Sequence, residues 1–439
     1  MNGWIMALRG YLNPAVFIFL FLGFSCGLPF SLIGYSLSMW MSNLHISLPV
    51  IGFFAFVLLP YNFKFLWAPF IDKTQIPFLA ERLGAKKAWL LVFQIGLVLS
   101  VIGLSCFSPD QNTWIYPINH TNARGEMVIL NIPVQTYIFA FLTAFFAASQ
   151  DIVVDALRIG TLKKEEYGEG AGMYQFGYRI GMLLSGAGVV AVSTIISWQL
   201  AYFIVACILS VGMVSTFFVQ EEKNIQKPVV KNFWQEMICL PFRDFMQHIN
   251  WFGLLIFIVL YKTCNAVLGR MALPFYQDLG FSNQTIALVS GTIGPWITIL
   301  GVTLGGILVM RYNVLKLLFV LGLVEVMTSV IFAVFSFFPE SVPFFFLVIL
   351  FDNIVGGMGG AVFVAFLSGL CSKQYAATQY ALLSSLMMVA VSLVSGYSGI
   401  WVEQMGWFYF FMFTGILMLP ALVLLSWLIY CKKRKEKTL

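Results

Sequence analysis

Apolar residues fall along the chain in twelve long blocks, separated by shorter stretches that hold most of the charge. Each block runs for about 18 to 25 residues, enough at 1.5 Å of rise per residue to cross a ~30 Å hydrocarbon layer. The pattern predicts twelve membrane-spanning helices, near 14–40, 50–70, 88–107, 135–157, 171–195, 200–219, 251–275, 285–309, 316–337, 343–370, 379–402 and 407–430. The connections are short, which favours antiparallel neighbours, and the longest polar stretch, about 220–250, falls midway. The expected architecture is an all-α polytopic membrane protein. It has an N-terminal six-helix bundle over 1–219, a central cytoplasmic loop over 220–250, and a C-terminal six-helix bundle with a basic cytoplasmic tail over 251–439.

A weak internal repeat points the same way. ISWQLAYF before the sixth block resembles MGWFYFF before the twelfth, and APFIDK with LGAKK after the second has a reduced counterpart, GGILVMRYNVLK, after the eighth. A spacing near 209 residues suggests a duplicated six-helix unit, which is similar to the parallel-repeat plan of major facilitator transporters. In that superfamily the loop between the second and third helices carries an aspartate, glycines and basic residues. Asp72, Lys73, Gly84, Lys86 and Lys87 match it loosely and form the expected gating loop.

Composition narrows the class. The 439 residues are 60% hydrophobic and 10% charged, with a mean hydropathy of +0.89, outside the range of soluble globular domains. The first apolar block is long enough to span and lacks a convincing cleavage site, so it reads as a retained helix. The 44 phenylalanines read as lipid-facing or packing residues. With both termini in the cytoplasm, inner segments hold 20 of the 25 Lys and Arg, and the outer loops hold only Arg124. By the positive-inside rule this fixes the expected orientation, and the net charge of +6 is no nucleic-acid patch. Seven scattered cysteines, with no CxxC and no metal-ligand spacing, predict neither a metal nor a cofactor. The sequon Asn119-His120-Thr121 reads as a chance tripeptide. An integral-membrane enzyme is disfavoured because His45, His120 and His248 all fall in loops or at span ends, without a nucleophile–base pattern. A channel is disfavoured because no ring of like residues repeats. A non-transporting sensor on the same fold stays open.

The candidate chemistry lies in charges inside the apolar blocks, where each costs ~2.5 to 3.5 kcal/mol on insertion scales and so calls for a partner or a polar cavity. Asp151 and Asp155 share one face of the fourth helix, with Arg158 extending the row toward the surface. Lys64 and Arg179 lie at a similar depth on the second and fifth helices. Gly177, Gly181 and Ser185 form a small-residue stripe for helix packing, and Arg179 points away from it. In the second half, Lys262 lies on the seventh helix, with Glu325 and Asp352 as candidate buried acids and Asn265 and Asn353 as polar neighbours. Gly356 and Gly360, at GxxxG spacing, predict a tight helix contact. The expected proton-coupling groups are Asp151, Asp155, Glu325 and Asp352. Lys64, Gln150, Arg179, Lys262, Asn265 and Asn353 are the expected substrate contacts. Asp151 is read as the proton switch, and Asp155 as the structural member paired with Lys64 or Arg179; the sequence leaves those two roles interchangeable.

Eight runs occur in order from about Asn13 to Trp407: GFSCGLPFSLIGYSLSMWM, LPYNFKFLWAPFIDK, ASQDIVVDALRI, YRIGMLLSG, PFRDF, IVLYK, GGMGGAVFVAFLSGLCSK and ATQYALLS. They resemble the AmpG family of muropeptide permeases, and the family's charged positions fall on Lys64, Asp72, Gln150, Asp151, Asp155, Arg179 and Lys262. The resemblance implies a bacterial inner-membrane protein, a monomer, that imports anhydromuropeptides with protons. The chain departs from the family pattern at Asn265, where an acid is expected three positions after the lysine of IVLYK, and at the following Arg270. Related permeases carry siderophores or acetyl-CoA, so the solute stays open at this stage.

Overall fold

A computed structural model describes residues 10–109, 115–121, 127–221, 235, 239–248 and 250–436. Most of the expected central loop, together with Arg9, Arg124 and Lys437, lies outside the described residues. Among the described residues, eleven helices are long and apolar enough to span: α1 (Pro14–Asn43), α3 (Ala85–Cys106), α4 (Val134–Thr161), α5 (Lys164–Ser193), α6 (Trp198–Phe218), α7 (Trp251–Asp278), α8 (Gln284–Arg311), α9 (Val314–Phe335), α10 (Val342–Leu370), α11 (Lys373–Ser395) and α12 (Ser398–Cys431). A shorter apolar helix, α2 (Val50–Leu66), completes the twelve expected segments.

The chain divides into two compact units. One comprises Phe17–Thr161 and Phe176–Val230; the other comprises Met1–Val16, Leu162–Gln175 and Lys231–Leu439. Inside the first, α3 packs on α4 and α6, and α2 packs on α4. Inside the second, α9 packs on α10 and α12, and α8 packs on α10. These are the same pairings six helices later, as the internal repeat requires.

Segment boundaries depart from the hydropathy pattern where local chemistry overrides it. α2 is not one continuous helix: it alternates helical turns with tighter ones at Phe54–Leu58 and Lys64–Leu66. Pro60 and Pro69 each remove a backbone donor, so regular helix cannot run through. α5 starts seven residues earlier than expected, because the glycine-rich YGEGAG continues the helix from Tyr167. Its glycines are spent on packing: a Cβ on Gly168 would press on Val309, and one on Gly172 would press on the Tyr11 hydroxyl, which donates to the Thr303 carbonyl at 3.2 Å. α12 changes direction at Gly406, whose φ of 75° only glycine adopts freely.

α1 and α5 lie backbone to backbone, since Cβ atoms on Gly177 and Gly181 would overlap the Leu20 and Phe24 carbonyls. The expected small-residue stripe is therefore real. Its GxxxG counterpart is displaced by one residue, however. Gly357, not Gly356, meets the α8 backbone near Thr298 and Gly301, and Gly360 has nothing within 4 Å. The loop between α3 and α4 holds a hairpin that hydropathy does not predict, β1 (Ile115–Thr121) against β2 (Met127–Pro133). It is antiparallel, with Ile115 opposite Pro133 and Thr121 opposite Met127.

Candidate functional site

Four helices of the first unit converge on one polar cluster. Ser25 and Cys26 come from α1, Tyr61 and Lys64 from α2, Gln150, Asp151, Asp155 and Arg158 from α4, and Tyr178 and Arg179 from α5. Lys64 opens the tight turn that interrupts α2 and is 8% exposed, so the irregular backbone carries a buried cation.

Asp155 is committed. Arg158 Nη2 donates to its Oδ1 at 2.7 Å, and not Lys64 or Arg179 as expected. Three residues along a helix is the natural reach for an arginine folded back on its own turn, and Arg158 is fully buried rather than extended to the surface. Asp151 is not committed. It is 7% exposed, with Oδ1 lacking any hydrogen-bond partner. Lys64 acts electrostatically on both carboxylates. Gln150 Nε2 donates to Ser25 Oγ at 3.2 Å and to Cys26 Sγ at 3.1 Å, but its Oε1 is unpartnered, as are the Tyr61 hydroxyl and Arg179 Nε. Each buried polar atom left unpaired costs about 1 to 3 kcal/mol. Their concentration in one cluster leaves these donors and acceptors open to a partner from outside the chain.

In the second unit, Asn265 Nδ2 stands 3.4 Å from Glu325 Oε1, and Glu325 Oε2 is unpartnered. Both line a cavity of about 10 Å³ with Asp352 and Thr328, which is room for one water held by polar groups. Lys262 Nζ lies 4.9 Å from the centre of the Phe363 ring, a cation–π contact. Asn353 is used up by packing: it accepts from Thr298 Oγ1 at 2.6 Å and donates to the Ile349 carbonyl at 2.9 Å. A larger cavity of about 700 Å³ lies beside Lys164, His248 and Asn313, and none of the expected site residues line it.

The expected gating loop carries a set of helix-capping hydrogen bonds. Gly84, at φ 105°, turns the chain into α3, which starts without a side-chain cap of its own. Glu221, after α6, accepts from the Lys86 and Lys87 backbone amides at 3.0 Å each. Lys87 Nζ answers by donating to the Phe217 and Val219 carbonyls at the end of α6, at 3.1 and 2.9 Å. Anion at a helix start and cation at a helix end are each the favoured sign for the helix dipole. Asp72 and Lys73 end a short helix, and the Lys86 ammonium sits 3.7 Å from Asp72 Oδ1.

The family profile of the Major Facilitator Superfamily matches residues 19–270 and 245–439. The anhydromuropeptide permease of Escherichia coli K12 is 33% identical over 434 residues, covering 98% of this chain and 82% of the permease. The chain belongs to the AmpG family of the major facilitator superfamily. Solved structures support the fold alone. The proton:xylose symporter XylE aligns with TM-score 0.64 at 15% identity, over 94% of this chain and 95% of its own. The human organic anion transporter MFSD10 aligns with 0.65 at 13%, over 95% and 99%. As an AmpG-family protein the chain is a polytopic membrane transporter of a small molecule, not an enzyme. The structure places Lys64 within electrostatic reach of Asp151 and Asp155, and Arg179 beside Tyr178 on the neighbouring helix. Sequence reasoning missed Cys26, Tyr61, Tyr178 and Glu221. For Glu221 a signal existed: a helix starting at Gly84-Ala85 with no Ser, Thr, Asn or Asp before it needs a remote acceptor.

Proposed function

We propose that the protein imports anhydromuropeptides across a bacterial inner membrane with protons, as a monomer with both termini in the cytoplasm. The solute class rests on the 33% identical permease and its name. The coupling rests chiefly on one observation: Asp151 is buried, with Oδ1 free of any protein partner, beside a Lys64 that has no ion pair within 4 Å among the described residues. Such a carboxylate can take up a proton without dismantling a structural pair, which Asp155 cannot. Glu325 and Asp352, around their water-sized cavity, are the secondary proton groups. Arg179 is suited to a stem-peptide carboxylate and Gln150 to a sugar hydroxyl or amide. Lys262 and Asn265 supply the same chemistry in the other unit. The two six-helix halves, 1–219 and 251–439, are the repeated functional units, supported by their matching internal contacts.

Uptake of labelled anhydromuropeptide by a permease-null strain, with and without this protein, tests solute and transport together. Accumulation should collapse with a protonophore at constant ATP. Asp151→Asn should keep exchange down a gradient and lose accumulation, since Asn mimics the neutral carboxyl. Uptake that survives the protonophore but needs sodium would refute proton coupling, and uptake of a siderophore or acetyl-CoA instead would refute the solute.

A further inference from the structure

The cavity of about 700 Å³ that the transport site leaves unused has two chemically distinct walls. Its polar lining is Lys164, His248, Asn250 and Asn313, and no carboxylate joins them among the described residues. Lys164 has no ion pair within 4 Å among those residues. The nearby Glu166 is spent elsewhere, accepting from Asn13 Nδ2 and from the Lys163 backbone amide at 3.0 Å each. Asn250 precedes α7 with a left-handed backbone, φ 57°, and its side chain makes no capping hydrogen bond. Asn313 does cap α9, accepting from the Leu315 amide at 3.0 Å through Oδ1, which leaves Nδ2 as a donor. His248 is pinned through Nε2, which donates to the Leu370 carbonyl at the end of α10 at 2.8 Å. The other wall is apolar, built chiefly by the buried Leu254, Phe366 and Leu428.

The geometry points to a binding site for an anionic phospholipid, its phosphate among Lys164, Asn250 and Asn313 and its acyl chains against Leu254, Phe366 and Leu428. The donors stand where α7 and α9 begin and α10 and α12 end, which is one surface of the spanning segments. Leu254, Phe366 and Leu428 each lie about one turn inside their helices, so the apolar wall is deeper than the donors. Head at the surface and chains inward is how a lipid sits in its leaflet. The surface is the one that carries the 20 basic residues, where pockets between spanning helices suit acidic head groups. The starts of α7 and α9 add the positive ends of two helix dipoles. A free phosphate would satisfy the donors and leave the apolar wall in water. A zwitterionic lipid would cover the wall but bring a cation of its own among the donors. Only an amphiphile with a net negative head matches both walls. None of this depends on which solute is transported.

The test uses the purified full chain in detergent, incubated with phosphatidylglycerol or phosphatidylcholine, with retained lipid counted by native mass spectrometry. Two variants probe the two walls. Lys164→Gln removes the cation from an exposed position outside the transport site. Gly369→Leu fills the cavity: Gly369 lines it, and a Cβ there would meet nothing within 4 Å. Wild type should retain one phosphatidylglycerol more than Gly369→Leu, and should prefer it to phosphatidylcholine. Lys164→Gln should weaken phosphatidylglycerol binding about fivefold. The lipid should also raise the thermal midpoint of wild type and not that of Gly369→Leu. Equal retention of the two lipids by wild type overturns the proposal, as does phosphatidylglycerol binding unchanged in Lys164→Gln, which keeps the test decisive if Gly369→Leu does not fold. Displacement of the lipid by inorganic phosphate would make this a soluble-anion site and overturn the lipid assignment.

Discussion

Two aspartates four residues apart on α4 are given opposite fates by one arginine. Arg158 holds Asp155 at 2.7 Å with both groups buried, while Asp151 keeps a free oxygen. A buried pair is a poor proton carrier, because protonating its acid strands the base. Breaking such a pair typically costs 3 to 5 kcal/mol, whereas replacing both members by apolar groups is often neutral. Asp155→Asn should therefore lower the thermal midpoint markedly, and adding Arg158→Met should recover most of that loss. Asp151→Asn should leave the midpoint nearly unchanged. Fluorescence-detected melting of the three purified variants decides this. If Asp155→Asn melts with wild type, the pair is not what stabilises α4.

At the level of elements, stability is concentrated where helix ends are exchanged between neighbours. Glu221 closes the start of α3, and Lys87 closes the end of α6, so two helices share one pair of caps. Losing a cap typically costs ~0.5 to 2 kcal/mol, so Glu221→Ala should destabilise by about that much. Gly84→Ala should cost more, since φ is 105° and the new methyl would drive into the Glu221 carboxylate. Melting curves showing Gly84→Ala as stable as wild type would contradict this account of the turn. Hydropathy could not see these caps, because they join positions about 135 residues apart through a few atoms. What it did see was the long apolar run of each span, which depends on local composition. It failed where residues with a strong local habit are overruled by a distant surface. Gly168 and Gly172 of α5 straddle the expected start of that block, yet Tyr11 and Val309 pack against them, and Pro60 breaks the α2 block. The site divides the same way. That buried charges cluster was legible from depth and helical face, but which aspartate Arg158 would take was not. The three-residue spacing permits that pair, but whether Arg158 folds back onto Asp155 or extends to the surface is set by its rotamer.

At the level of the whole molecule, the orientation we propose rests on charge rather than on packing. The alternating polar connections hold 20 basic residues on one side and one on the other. Insertion follows such a bias in short loops, because moving a Lys or Arg across the bilayer is costly and the cytoplasmic leaflet is anionic. The connection carrying β1 and β2 belongs to the poor side, with Arg124 its one basic residue. The C-terminal tail, with Lys432, Lys433, Arg434, Lys435 and Lys437, belongs to the rich side. An alkaline phosphatase domain, active only in the periplasm, should therefore be active when inserted between residues 121 and 127 and silent when fused after Leu439. A cytoplasm-only fluorescent domain should give the reverse. The outcome reaches the site as well. Asp151, Asp155 and Arg158 run in that order toward the end of α4 that leads to Lys163 and Lys164. If that end is cytoplasmic, the free carboxylate lies on the outer side of the locked pair, where a proton entering with its solute meets it first. Phosphatase activity after Leu439 would invert that order and leave Asp151 on the wrong side of Asp155 for import.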